Sequence, residues 1–278
     1  MNKKTKIFWH HQSIKDRWLL HKSPGRPSKG DIKIYEQFLK KIPKRQKILI
    51  LGATPELRDL AHKHKAEVTI IDVSLEMMIV MEEFMKYKDK AEDEIWVRAN
   101  WLKNPLTSNY FDVVLGDYVS SNVPLDFHLK FFQEINRVLR KNSYFITRTT
   151  HAPEKPILPA KIVEKYLKMG DITLKGKNLI TELEQELMLS FIRKPSYEMS
   201  SGKAIGFFET YIKKQKKEKI LNQILKDLKF QFPPKTWWCP PKEVYQKRVK
   251  RYFKIINSKK AKDYYCSVYS TIYLLKKK

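Results

Sequence analysis

The chain has 278 residues, with 56 Lys+Arg against 30 Asp+Glu for a net charge of +26, and 42% of its residues are hydrophobic. That is enough chain to bury the core of one large α/β domain with an elaboration. The two cysteines, Cys239 and Cys266, are too few for a disulfide framework or a zinc cluster, and no apolar run approaches the roughly 18 residues of a spanning helix, so a reducing, cytoplasmic setting without a membrane span is expected.

The basic charge is uneven: residues 1–50 and 151–278 carry the excess, while the stretch between is close to neutral. A lysine-rich composition accounts for this, and so does a pair of flanks facing an anionic partner such as RNA. The N-terminal stretch is basic but lacks the apolar core of a secretion signal. It holds Trp9, His10, His11, Trp18 and His21, then Ser23-Pro24-Gly25-Arg26-Pro27-Ser28, where proline and glycine forbid a continuous helix. Aromatics ahead of such a hinge suit a cover over a ligand, with Trp18 and Arg26 as candidates, or simple packing on a sheet. The histidines have no Cys, Asp or Glu at ligand spacing, so no metal site is expected. Asp31–Lys41 places Ile34, Tyr35, Phe38 and Leu39 at helical spacing.

Ile48–Leu51 is a short, fully apolar, β-branched run, the pattern of a strand buried on both faces of a parallel sheet. Gly52-Ala53-Thr54-Pro55-Glu56 then turns into a helix, with Thr54 at the cap and Pro55 at the first helical position. A second apolar run, Val68–Ile71, stops at Asp72. A βαβ unit with a small-residue turn and an acid at the tip of its second strand is the layout that holds a nucleoside by its ribose. A dinucleotide turn wants three glycines, and this one has a single glycine. Glu56 opposes a pyrophosphate too: a carboxylate about 5 Å from a phosphate costs about 3 kcal/mol at an effective dielectric of about 20, against roughly 1 kcal/mol from the helix end. A cationic nucleoside suits the turn better.

These residues resemble the class I S-adenosylmethionine-dependent methyltransferases, especially the branch whose first motif reads LGxTPE, here Leu51–Glu56. The resemblance implies that Gly52, Ala53, Thr54 and Pro55 shape the methionine pocket, that Glu56 faces its ammonium and that Asp72, with Val73 beside it, holds the ribose. Met77, in the methionine-rich helix expected over Leu75–Tyr87, is implied near the adenine. Strand three, Glu94–Ala99, leads to Asn100, where the family usually presents an Asp to the adenine amino group; the Asn100 carbonyl can accept the same hydrogen bond, and Trp101 can supply an aromatic wall.

Tyr110–Leu115 is a fourth strand, followed by Gly116-Asp117-Tyr118. Ligands in open α/β sheets bind outside the carboxyl ends of strands, so Asp117 and Tyr118 are expected at the transferring methyl. The Asn/Asp-Pro-Pro-Tyr tetrad of relatives that methylate adenine or glutamine is missing. A catechol-type metal site would need acids after strand five, Ser143–Thr147, where Thr149-Thr150-His151 stands; no metal is expected. His151 is a candidate general base. Helices are expected over Phe127–Leu139, Ala160–Met169, Thr181–Phe191 and Phe207–Leu228, the last crossing the charge run Lys213–Lys217. A proline-bracketed loop, Phe232–Pro241, offers Trp237 and Trp238 to an acceptor pocket. A basic helix, Lys242–Ile256, and a closing strand, Tyr264–Leu275, complete the chain.

The expectation is thus an α/β, Rossmann-like, doubly wound and mostly parallel seven-stranded sheet with a helical insertion before the last strands. It divides into an arm and covering helix (1–45), a cofactor-binding core (46–152), a helical acceptor or lid region (153–241) and a C-terminal helix with the closing strand (242–278). By the resemblance it is a metal-independent methyltransferase using S-adenosylmethionine, with Asp117, Tyr118 and His151 as catalytic candidates. Its acceptor is small or anionic. RNA methylation and a non-catalytic binding protein of the same fold are the alternatives.

Overall fold

A computed structural model of the chain, described for residues 11–43, 46–155, 157–215, 218–231 and 234–278, carries one large sheet. Trp9, His10, the side chain of His11, Lys216, Lys217 and Phe232, all singled out in the sequence, lie outside the described residues. In chain order the elements are α1 (His11–Leu20), α2 (Lys29–Leu39), β1 (Lys47–Leu51), α3 (Pro55–Lys63), β2 (Glu67–Asp72), α4 (Leu75–Glu82), β3 (Ile95–Arg98), β4 (Phe111–Asp117), α5 (His128–Val138) and β5 (Leu139–Thr150). There follow α6 (Pro159–Leu167), α7 (Ile180–Ser190), β6 (Glu198–Ser200), α8 (Ser201–Ile212), α9 (Glu218–Gln231), β7 (Thr236–Trp238), α10 (Lys242–Val249), β8 (Phe253–Lys259) and β9 (Ser270–Lys277).

The seven-stranded sheet runs β3-β2-β1-β4-β5-β9-β8, with β9 antiparallel to both β5 and β8 and the other pairs parallel. Alternation of side chains along each strand splits the core in two. Ile48, Ile50, Val113, Leu115 and Ile146 face α2 and α3, while Leu49, Leu51, Val114 and Phe145 pack with Phe131 and Phe132 of α5 and Tyr245 of α10. The insertion between β5 and β8 has a core of its own, built on Tyr166, Leu183, Leu187, Phe208 and Ile224. Among the described residues no helix is long and apolar enough to cross a membrane.

Local chemistry explains most boundaries. Ser28 caps α2, its hydroxyl accepting from Asp31 N while the Asp31 carboxylate accepts from Ser28 N, a reciprocal capping box. Thr54 does occupy the cap of α3, although its side chain makes no capping bond, and Pro55 starts the helix.

Four expectations are corrected. The helix expected over Phe207–Leu228 is two helices, α8 ending at Ile212 and α9 beginning at Glu218. Lys242–Ile256 is helical only to Val249; Phe253 and Ile255 then alternate with exposed Lys254 as strand β8, a period of two inside a stretch read with a period near four. The closing strand starts at Ser270, after a 3-10 turn over Tyr265–Tyr269. Trp237 and Trp238, read as loop, form β7 and pair with β6.

Candidate active site

Register brings the functional tips together. Leu51 pairs with Ile71 on one side and Gly116 on the other, so Gly52, Asp72 and Asp117 emerge from one edge of the sheet at the carboxyl ends of β1, β2 and β4. Beyond them opens a cavity of about 1090 Å³.

Gly52 holds φ +85°, a left-handed conformation that costs a residue with a Cβ roughly 1–2 kcal/mol. A Cβ there would stand 3.8 Å from Asp72 Oδ2 and 3.9 Å from the Trp101 ring, so the missing side chain leaves backbone open to the space between acid and aromatic. Asp72 Oδ1 accepts from Ser74 N at 2.8 Å; Oδ2 faces the Gly52 turn. Burial pushes the Asp72 carboxyl above its usual range, against the pull of the Ser74 and Val73 amides and of Lys235.

Trp101 is held edge-on by its indole N–H, which donates to Ile71 O at 2.9 Å, and its ring packs on Phe131. Val73 and Met77 also line the cavity, Met77 following the Ser74 cap of α4. Asn100 lines it too, but its Oδ1 already accepts from Leu102 N at 2.9 Å, shaping the loop that delivers Trp101.

At the tip of β4, Asp117 is gripped by Arg148, its register partner on β5. Arg148 is fully buried and also donates to Asp31 of α2 and to Pro24 O, fastening the Ser23–Ser28 hinge to the sheet. Burial pushes the Asp117 carboxyl up to about 6, with Arg148 pulling the other way. Tyr118, at φ +51°, lies under the Arg148 guanidinium at 4.1 Å and shares a hydrogen bond with the Ser270 hydroxyl. Tyr35 of α2 donates to Gly116 O at 2.8 Å and accepts from Arg148 N at 2.7 Å, tying β4 to β5 beneath the site.

The cover comes from both ends of the chain. Trp18 lines the cavity, stacked on His21 and capped by the Arg26 guanidinium at 4.8 Å. Arg26 pairs with Glu56, so this carboxylate is engaged by the hinge, and neither it nor Pro55 nor Arg26 lines the cavity. Trp237 and Lys235 line the same cavity, and the Lys235 ammonium lies 5.0 Å from the Trp237 ring and donates to Asn122 Oδ1 at 2.9 Å. Burial lowers the Lys235 ammonium to about 8, with Asp72 opposing.

Trp238 and His151 do not line the cavity. His151 is turned into the core between Tyr245 and Tyr273, sharing a 2.9 Å hydrogen bond with the Tyr273 hydroxyl, and burial lowers its imidazole to about 4. The reading of His151 as a base at the end of β5 is corrected: it points into the apolar layer beneath the sheet.

Sequence reasoning missed Arg148, Lys235 and the α7 face of Thr181, Glu184, Gln185 and Met188, all but Arg148 in the cavity wall. An arginine inside the otherwise apolar and threonine-rich strand YFITRTT was a usable signal, because a central-strand guanidinium demands buried partners. Glu182, Glu184 and Glu186 alternate too closely to share one helix face, so some had to turn inward.

The residues fit a nucleoside-bearing ligand: an acid, a Cβ-less turn and an aromatic wall meet at one crevice. Among the described residues, lining atoms Trp18 Nε1, Thr181 Oγ1, Glu184 Oε1 and Gln231 Nε2 are buried and meet no hydrogen-bond partner. Among the described residues no group of three or more His, Cys, Asp or Glu has metal-binding geometry.

This strand order, with its parallel core, antiparallel penultimate strand and crevice at the switch point, defines a class I methyltransferase fold of the Rossmann-like kind. Residues 51–147 match the family model described as a methyltransferase domain. No curated protein matches the chain in sequence. Among solved structures, a SAM-dependent methyltransferase from Methanosarcina mazei is similar at 12% identity and TM-score 0.53, covering 87% of this chain and 96% of its own. The N-methyltransferase NodS from Bradyrhizobium japonicum, solved with S-adenosyl-L-homocysteine, is similar at 8% identity and TM-score 0.52, covering 96% and 97%. A Rhodobacter sphaeroides protein described as a Zn-dependent alcohol dehydrogenase has 13% identity and TM-score 0.58, covering 96% and 99%. At these identities the likeness speaks for the fold alone.

Proposed function

We propose that the protein transfers the methyl group of S-adenosylmethionine to a small acceptor bound against α7. The observation that carries this reading is the meeting of Gly52 and Asp72 at the mouth of a cavity larger than the ~300–1,000 Å³ typical of one small ligand, room for a cofactor and an acceptor together.

In this reading Asp72 accepts the ribose hydroxyls, and its partial desolvation strengthens those bonds. The Gly52-Ala53-Thr54 turn passes the methionine portion, while Val73, Met77 and Trp101 flank the adenine. Asn100 keeps one lone pair for the adenine amino group while it shapes the loop. Glu56 acts at one remove, fixing Arg26 over Trp18 so that the cover stays shut. The bound cofactor supplies an activated methyl on a sulfonium, a good leaving group. What remains for the chain is positioning and exclusion of water. Asp117, neutralised by Arg148, orients Tyr118 at the transfer point and is not free to act as a base. Trp18 and Trp237 close the chamber from opposite sides.

Calorimetry with S-adenosylhomocysteine tests the reading. Saturable binding by the wild-type chain, weakened tenfold or more in Asp72→Ala, supports it. No heat at any concentration favours the non-catalytic binding protein. RNA remains the other acceptor class suggested by the basic flanks; affinity for RNA that collapses between about 50 and 200 mM salt, together with competition by acceptor-site ligands, would favour it.

A further inference from the structure

Helix α7 is buried on all sides, with every residue from Ile180 to Leu189 out of solvent, and it carries three glutamates at 182, 184 and 186. Two are satisfied. Glu186 accepts from the Lys165 ammonium at 2.6 Å and from the Tyr166 hydroxyl at 3.2 Å, and Glu182 accepts from Cys266 N at 2.9 Å. Glu184 is not. It is 1% exposed, its Oε1 has no hydrogen-bond partner among the described residues, and it lines the large cavity.

Thr181, one turn earlier, repeats the pattern: it lines the same cavity and its Oγ1 also lacks a partner. With Gln185 and Met188 they form one face at spacings of three and four, the face a helix presents to a single neighbour. Gln185 anchors that face to the sheet by donating to Thr150 Oγ1 at 3.4 Å, at the carboxyl end of β5 beside Tyr118. The α7 face thus lines the same cavity as Gly52 and Asp72.

A buried carboxylate without a partner is among the costliest arrangements in a protein interior, and folding tolerates it when a ligand supplies the missing donor. Here burial alone pushes the Glu184 carboxyl well above its usual range, with no neighbouring charge to offset it. The chemistry that satisfies such a group is a cation or N–H donor; an anion in the same place would add repulsion to desolvation.

We propose that Glu184, assisted by the Thr181 hydroxyl, binds an amine nitrogen of the methyl acceptor, so that the acceptor is a small amine and not an anion. The proposal rests on the methyl-transfer reading for its chemistry. The amine donates N–H to Glu184; as its lone pair forms the new N–C bond, the S–C bond breaks with its electrons left on sulfur, and the surplus proton on nitrogen passes to the Glu184 carboxylate. Met188, Met199 and Trp237 offer an apolar surface to the carbon part of the amine.

The test is calorimetric, on the full chain with and without S-adenosylhomocysteine. The probes are amines paired with their alcohol isosteres, 2-phenylethylamine with 2-phenylethanol and 1,4-diaminobutane with 1,4-butanediol. Wild type is expected to prefer at least one amine over its alcohol by tenfold or more. Glu184→Gln abolishes that preference while keeping S-adenosylhomocysteine affinity and a melting temperature no lower than wild type, which a merely structural glutamate would not allow. Absence of any amine preference in wild type, or an unchanged preference in Glu184→Gln, overturns the proposal. If the amine preference is present but S-adenosylhomocysteine does not bind, methyl transfer falls and Glu184 stands as an amine site.

Discussion

Arg148 holds Asp117 through two parallel hydrogen bonds, Nε to Oδ1 at 2.6 Å and Nη2 to Oδ2 at 2.8 Å, between register partners on neighbouring parallel strands. With Asp31 also bonded to it, the guanidinium is shared by two acids, one from α2 and one from β4. Removing it strands both. Arg148→Met is expected to cost about 3–5 kcal/mol in urea unfolding, since breaking a buried pair leaves an uncompensated charge. Adding Asp117→Asn to that variant should recover part of the loss. A single-variant cost under about 1 kcal/mol would mean that the hub contributes specificity without stability.

Gly52→Ala separates conformational strain from lost space. The built Cβ meets nothing closer than 3.8 Å, so the stability cost is that of the left-handed backbone, about 1–2 kcal/mol. The new methyl nevertheless enters the gap between Asp72 and Trp101. Affinity for S-adenosylhomocysteine should fall more than tenfold while the melting temperature drops only a few degrees, and equal losses in both would contradict the geometry.

At Gly25 the constraint is space. A Cβ there would lie 1.9 Å from His21 Nε2, so Gly25→Ala must drive the ring away and break the 2.9 Å hydrogen bond between His21 Nδ1 and Gln231 Oε1. Limited proteolysis in residues 11–28 should accelerate severalfold. His21→Ala in the same chain removes the clash, and failure of the double variant to restore a docked hinge would show that the ring is not the obstacle.

Acid should destabilise the fold through buried histidines. His128 and His151 are both held near 4 by burial, against about 6.5 when unfolded, so below pH 6.5 the unfolded chain binds more protons and stability falls as pH is lowered. Each contributes a loss of about 2 kcal/mol by pH 5. Asp117, raised to about 6, works in the opposite direction over part of that window and softens the slope. His151→Gln should lose about 4–8 °C less than wild type in melting temperature between pH 7.5 and 5; an equal loss would mean that His151 does not titrate with unfolding.

The crevice was legible because its parts are local. Leu51–Glu56 encodes a strand end, a turn and a helix start in six residues, and Asp72 ends an apolar run, so Gly52, Asp72 and Trp101 meet where the spacing placed them. The pairings were not legible, because they are decided by tertiary contacts. Glu56 was read as facing the ligand, and Arg26, 30 positions earlier, claims it. His151 was read from its position at a strand end, yet the strand's alternation turns it into the core with Tyr245 and Tyr273. Lys235 and Glu184 sit in a helical insertion whose docking no periodicity reveals.

The contact between His21 and Gln231 spans 210 positions of chain. A polypeptide still emerging from the ribosome, or one cut short of α9, would possess strands β1–β5 and the crevice at their tips but neither the roof nor β8 and β9, and a ligand held there would be open to water. Ligand sequestration in this sense waits on the helical insertion, and it certifies that the N-terminal arm and α9 have come home.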